Sequence, residues 1–149
     1  MHVHIYARLA QFVLGDDSTR VAIVEFNAGA MISQVLTSDA DDLADVIAAY
    51  TPAGNTAISE GLDVARQMLM ETAATRKDAT RVILLLTDGV QNDQYGGDKE
   101  AIRAGQQLRD ETSALLIAVG FGGAAAQTLD MIATPPAASY SLLGSEVSK

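Results

Sequence analysis

Asp88 closes an apolar run, Arg81-Val-Ile-Leu-Leu-Leu-Thr-Asp-Gly89, and is the first ionisable side chain to emerge from it. A carboxylate there can ligate a hard cation, serve as a nucleophile in phosphoryl transfer, or simply begin a turn. Thr56, in Gly54-Asn-Thr56, adds a hydroxyl oxygen just ahead of a helical pattern, where it can ligate a cation or cap the helix. Enzyme chemistry finds little more to use. Gly120-Phe-Gly-Gly123 lacks the G-x-G-x-x-G pattern, no G-x-x-x-x-G-K-[ST] or G-x-S-x-G occurs, and both histidines, His2 and His4, sit at the extreme N-terminus. A phosphohydrolase built on Asp88 needs a second acid and a positioned lysine, for which Asp93 and Lys99 are the nearby candidates.

The elements that must position these residues follow from pattern. An apolar run of strand length without polar alternation predicts a strand over residues 81–87 buried on both faces of a parallel sheet. Ligands of open α/β sheets bind outside the carboxyl ends of the strands, which is where Asp88 falls. Residues 1–14 carry Ile5, Leu9, Phe12 and Val13 at helical spacing, with Gly15 as an αL stop. The opening His-Val-His-Ile also alternates like a strand, and His2 and His4 read as a polar end rather than a metal pair. Residues 20–26 and 31–36 predict a hairpin through the Asn27-Ala28-Gly29 turn. Ser38 is the expected N-cap of a helix bearing Leu43, Val46, Ile47 and Tyr50, closed by Pro52.

A long helix is expected from Thr56, with Ile58, Leu62, Ala65 and Leu69 on one face and its N-terminus at the same rim as Asp88. Residues 91–97 read as a polar loop, Asp98 as the cap of a helix carrying Ile102, Gly105 and Leu108, and residues 114–119 as another buried strand. Residues 124–133 predict a short helix stopped by Pro135-Pro136, and residues 139–143 a last edge strand. Alternation of strand and helix from Arg81 onward implies right-handed crossovers and a parallel sheet with helices on both faces.

With 149 residues, 48% of them hydrophobic, one domain and one core are expected. Aromatics make up only 5% and Trp is absent, so that core is aliphatic. A formal net charge of -9 disfavours nucleic acid and anionic membrane as partners and favours cations and basic protein surfaces. The absence of Cys excludes disulfides, thiolate metal sites and Cys nucleophiles together. No run approaches the roughly 18 apolar residues of a membrane span. The first fifteen residues lack the order of a secretion signal.

Taken together and in order, Thr19-Arg-Val-Ala-Ile-Val-Glu-Phe26, Gly54-Asn-Thr56, Thr87-Asp-Gly89 and Ile117-Ala-Val-Gly-Phe-Gly122 resemble the von Willebrand factor type A domain over essentially the whole length. The resemblance implies a Rossmann-like three-layer α/β sandwich: a mostly parallel sheet, one antiparallel hairpin strand and helices on both faces. It implies a metal-ion-dependent adhesion site, in which an Asp-x-Ser-x-Ser loop, a Thr and an Asp surround Mg²⁺ or Mn²⁺ and a carboxylate from a protein ligand completes the coordination. Thr56 matches that Thr and Asp88 that Asp. The partner-binding rim then includes Gly54, Asn55, Gly89, Gln91 and Asn92, and the role is non-catalytic recognition at an extracellular or cell-surface location. An intracellular scaffold or ATPase-associated subunit, as some relatives are, is the alternative. Glu60 and Asp63 read as a solvated face of the helix after Thr56.

The sequence departs from that pattern in one respect. No Asp-x-Ser-x-Ser occurs, and the family's first, central strand is missing, which reads as truncation at the N-terminus and makes any metal binding weak. In the 3-2-1-4-5-6 strand order that strand lies between residues 20–26 and 81–87. Its loss leaves two edges to be paired by residues outside this chain, to close on each other, or to self-associate, because an unpaired buried backbone group costs about 1–3 kcal/mol.

Overall fold

Val21–Phe26, apolar except for Glu25, makes the first strand, β1, and Ala30–Thr37 the second, β2. The computed structural model describes residues 12–51, 54–71, 76 and 78–144. The strands pair antiparallel, from Val21 opposite Thr37 to Phe26 opposite Ala30, with register shifts between Val21 and Val24. Asn27 N–H donates to Gly29 C=O at 2.8 Å and closes the hairpin turn. Helices α1 (Ala40–Ala49) and α2 (Ile58–Glu71) follow, then β3 (Val82–Thr87), a 3-10 turn at Asp93–Tyr95 and α3 (Gly97–Thr112). The described residues continue with β4 (Leu115–Phe121), α4 (Ala126–Ile132), α5 (Ala137–Tyr140) and β5 (Ser141–Gly144).

The second sheet is parallel throughout, in the order β3-β4-β5, with Val82 opposite Leu115 and Ala118 opposite Ser141. Parallel neighbours require crossovers, and α3 and then α4 and α5 supply them. Under this sheet lies an aliphatic core in which Ile58, Leu62, Leu85, Leu108, Leu116, Leu129 and Ile132 are buried. Ala22, Val24 and Phe26 of β1 and Ile83 of β3 pack on the same cluster, so both sheets rest on it. The buried Leu43 and Ile47 of α1 stand outside it. α1 packs instead on the hairpin.

Both β1 and β3 finish at the N-terminus of α2. A Cβ on Gly61 would meet the Phe26 ring at 2.8 Å, and one on Gly89 would meet Thr56 Oγ1 at 2.9 Å. The two strands therefore run in the same direction and, among the described residues, do not pair with each other.

Several local expectations are corrected. β3 is not buried on both faces: Val82 and Leu84 are 51% and 55% exposed, because among the described residues no helix covers that side of the strand. Asp39, not Ser38, caps α1, accepting from the backbone N–H groups of Asp41 and Asp42 at 2.9 and 3.3 Å. Ser38 instead donates to Asp16. Asp98 lies inside α3, whose cap is Gly96 at φ +85°, a conformation that costs a glycine little. Phe12 to Leu14 are not helical, and Gly15 is held in a turn by Ser18 N–H rather than in the αL region. The rest of the first expected helix and Pro52 lie outside the described residues.

Candidate functional site

The three residues Thr87-Asp88-Gly89 form a self-closed turn. The buried Thr87 hydroxyl donates to Gly89 C=O at 3.1 Å and accepts from Gly89 N–H at 3.3 Å, which leaves the intervening Asp88 exposed at the sheet's C-terminal rim. Hydroxyls of this kind commonly stabilise turns, and here the effect is to aim one carboxylate outward. Gly122 and Gly123 lie beneath it: Cβ atoms there would approach Asp88 C=O at 3.9 and 3.5 Å.

Thr56 is held against the loop after β3 by both the side chain and the backbone of Asn92. Its N–H donates to Asn92 Oδ1 at 2.5 Å and its C=O accepts from Asn92 N–H at 3.0 Å, a two-bond clamp between the loop before α2 and the loop after β3. One turn further in, Gln91 fixes the start of α2. Its side-chain oxygen accepts from Ser59 N–H at 3.2 Å, and its amide donates to Ser59 Oγ at 2.6 Å and to Tyr95 C=O at 2.8 Å. The Tyr95 hydroxyl donates to Ala28 C=O at 3.1 Å and accepts from Asn55 at 3.3 Å, tying in the β1–β2 turn.

The rim is electronegative. Tyr50, which follows α1, has its phenol pKa raised above 10.0, first by burial and then by the negative charges of Asp88 and Glu25. Glu25, near the end of β1, thus belongs to the same electrostatic neighbourhood as Asp88. The folded state favours the neutral phenol, so the unfolded chain ionises first as pH rises. The resulting stability is complete below pH 10.0 and is lost as pH climbs through the higher folded-state value. Asp88→Asn should lower the Tyr50 ionisation midpoint, read as the phenolate signal that Tyr50→Phe removes. An unchanged midpoint would place the Asp88 charge out of reach of Tyr50.

Of the residues singled out from sequence, Thr56 approaches Gly89, the neighbour of the exposed Asp88, and Gly54 and Asn55 are exposed in the loop before Thr56. Asn92 is half-buried, its amide oxygen and backbone N–H both engaged with Thr56. Gln91, expected on the binding surface, is only 3% exposed and holds the loops from within. Glu60 is exposed, as expected of a solvated face, while Asp63 is half-buried in ion pairs with Arg66 and Arg103, both at 3.5 Å. Sequence reasoning missed Ser59, Tyr95, Tyr50 and Glu25. The one available signal was Tyr95, an aromatic in a polar loop of a chain with only four tyrosines.

The donor set can be tested against a hard cation. Thr56 Oγ1 and the Asp88 carboxylate are two oxygens of the right kind, from adjacent backbone, against the about six that such an ion takes. Among the described residues no group of three or more His, Cys, Asp or Glu could hold a metal ion. The residues fit part of a coordination sphere that water and other donors must complete.

The von Willebrand factor type A domain model matches residues 4–147 of this α/β fold. The chain belongs to that family. Among solved structures it is similar to proximal thread matrix protein 1 from the mussel byssus, at 30% identity and a TM-score of 0.80 over 98% of this chain and 36% of that one. A second structure of that protein, described with a zinc-occupied MIDAS motif, matches at 29% identity and 0.79, over 96% of this chain and 35% of that one. The manganese-loaded TRAP protein of Plasmodium vivax shares the fold at 20% identity and 0.77, over 94% of this chain and 58% of that one. The chain thus spans about a third of the length of the mussel protein. No curated protein matches the sequence.

Proposed function

We propose that this chain is a non-catalytic protein-recognition module that binds its ligand at the C-terminal rim, with Thr56 and Asp88 contributing to a Mg²⁺ or Mn²⁺ site whose coordination a ligand carboxylate completes. The observation that carries it is the approach of Thr56 Oγ1 to the Asp88-Gly89 turn, where a Gly89 Cβ would lie 2.9 Å from the hydroxyl. Gly54, Asn55, Gly89 and Asn92 surround the pair and form the contact rim. The zinc-occupied motif of the mussel relative supports a divalent cation at the corresponding place. An acidic rim attracts a cation, and the cation in turn attracts the carboxylate that the bare rim would repel.

The test is thermal unfolding with and without excess Mg²⁺ or Mn²⁺, in the parent and in Asp88→Ala. A ligand at a hundred times its dissociation constant adds about 2.7 kcal/mol, a shift of several degrees for a domain of this size. The expected result is a rise in the parent that disappears in the variant. A cooperative transition indifferent to both ions would sink the metal-dependent reading.

A further inference from the structure

Asp88-Gly89 is the only Asp-Gly pair in the sequence, and no Asn-Gly occurs. Such a pair is a weak link in any chain. A backbone nitrogen can attack the side-chain carboxyl of the residue before it and close a cyclic imide, and the attack is easiest from glycine, whose missing Cβ leaves approach and rotation free. Asp88 is exposed at the rim, so water reaches it. The fold nevertheless calls for glycine after it: a Cβ on residue 89 would stand 2.9 Å from Thr56 Oγ1. A steric demand therefore builds a reactive pair into this turn.

The same turn holds the attacking nitrogen. Gly89 N–H donates to Thr87 Oγ1 at 3.3 Å, and the Thr87 hydroxyl donates to Gly89 C=O at 3.1 Å. Thr87 is the last residue of β3 and is 4% exposed, so its hydroxyl is fixed by the strand. Attack on Asp88 requires the amide proton to leave and the peptide plane to turn until the nitrogen faces Cγ. Both movements break the bonds to that one hydroxyl.

We propose that Asp88-Gly89 is a site of spontaneous backbone isomerisation, and that the Thr87 hydroxyl suppresses the reaction in the folded chain. In the restrained step the Gly89 nitrogen bonds to Asp88 Cγ, and the carboxyl hydroxyl leaves as water with the amide proton. Water then adds back to the imide. Addition at Cγ restores aspartate; addition at the former main-chain carbonyl gives isoaspartate, in which the backbone runs through Cγ. No oxidant or further reactant enters, and the mass is unchanged. The product has a backbone one carbon longer at residue 88 and carries its carboxylate on Cα, so the rim loses the group that the turn aims outward. The inference holds with or without a bound cation.

The experiment incubates the chain in EDTA, at one pH and temperature, with and without denaturant, and measures isoaspartate at residue 88 by peptide mapping. The parent is compared with Thr87→Val, which lacks the hydroxyl, and Thr87→Ser, which keeps it. The parent is expected to isomerise at least about tenfold more slowly when native than when denatured. Native Thr87→Ser should stay near the parent and native Thr87→Val should be at least about threefold faster, with all three rates equal in denaturant. Three results overturn the proposal: equal rates in the native and denatured parent, native Thr87→Val as slow as the native parent, or Thr87→Ser as fast as Thr87→Val. Should Thr87→Val fail to fold, the Gly89 amide of the parent decides: slowed hydrogen exchange there supports the clamp, and exchange as fast as in the denatured chain overturns it.

Discussion

Leu62→Ala is expected to destabilise the fold by about 3–4 kcal/mol, within the range for buried leucines whose surroundings relax only partly. Leu62 lies on α2, 2% exposed, in the cluster that receives Ala22, Val24 and Phe26 from the hairpin and Leu85 from the parallel sheet. In most α/β folds a ladder of backbone hydrogen bonds joins such strands. Here, among the described residues, no ladder connects β1 to β3, and the side chains of α2 pack against residues of both strands. A cavity at Leu62 should therefore lower hydrogen-exchange protection in both sheets together, and the thermal midpoint should fall by roughly 10 °C. Met70, exposed near the end of the same helix, is the control: Met70→Ala should stay within about 0.5 kcal/mol. A loss at Leu62 below about 1 kcal/mol, or one confined to the hairpin, would mean that something else holds the two sheets together.

The same core shows which features a sequence displays. Ile58, Leu62, Ala65 and Leu69 repeat at helical spacing and all four are buried on α2. The apolar runs that become β3 and β4 carry no polar residue before the closing Thr87, and their parallel pairing follows from the helix between them. Chain punctuation is less informative. Ser38 and Asp39 are both good caps, and only the burial of Leu43 and Ile47 against the hairpin decides where α1 begins. Asp98 looks like a cap, yet Gly96 and Gly97 at φ +85° and +60° set the entry to α3, a conformation that sequence pattern does not reveal. The exposure of Val82 and Leu84 was hidden for a different reason. An apolar run announces a strand that wants covering, but not which of its faces is covered.

The candidate site was half legible. Thr56 and Asp88 stand in short motifs at turns, so their residue types and places are visible in one dimension. What brings them together is not. Asn92 reaches Thr56 across thirty-six positions and Gln91 reaches Ser59 across thirty-two, and side-chain amide contacts of that separation have no period. Gln91 therefore looked like one more polar loop residue.

Gln91→Leu follows from this distinction. Leucine fills much of the same volume but withdraws the acceptor used by Ser59 N–H and the donors used by Ser59 Oγ and Tyr95 C=O. Ser59 lies in the first turn of α2, where the backbone N–H has no intrahelical carbonyl to fall back on. Each buried polar group left without a partner costs about 1–3 kcal/mol, so a net loss of about 3 kcal/mol is expected, seen as a lower denaturation midpoint at unchanged slope. The functional consequence should exceed what stability alone explains. Gln91 anchors the stretch whose next residue, Asn92, clamps Thr56, so loosening it shifts the Thr56 hydroxyl relative to Asp88 although neither residue is substituted. The cation-dependent rise in midpoint should then shrink in Gln91→Leu even under conditions where the variant is fully folded. Should Gln91→Leu unfold early yet keep the full cation response, the amide would be only a packing element of α2, and the alignment of Thr56 with Asp88 would rest on the Asn92 clamp alone.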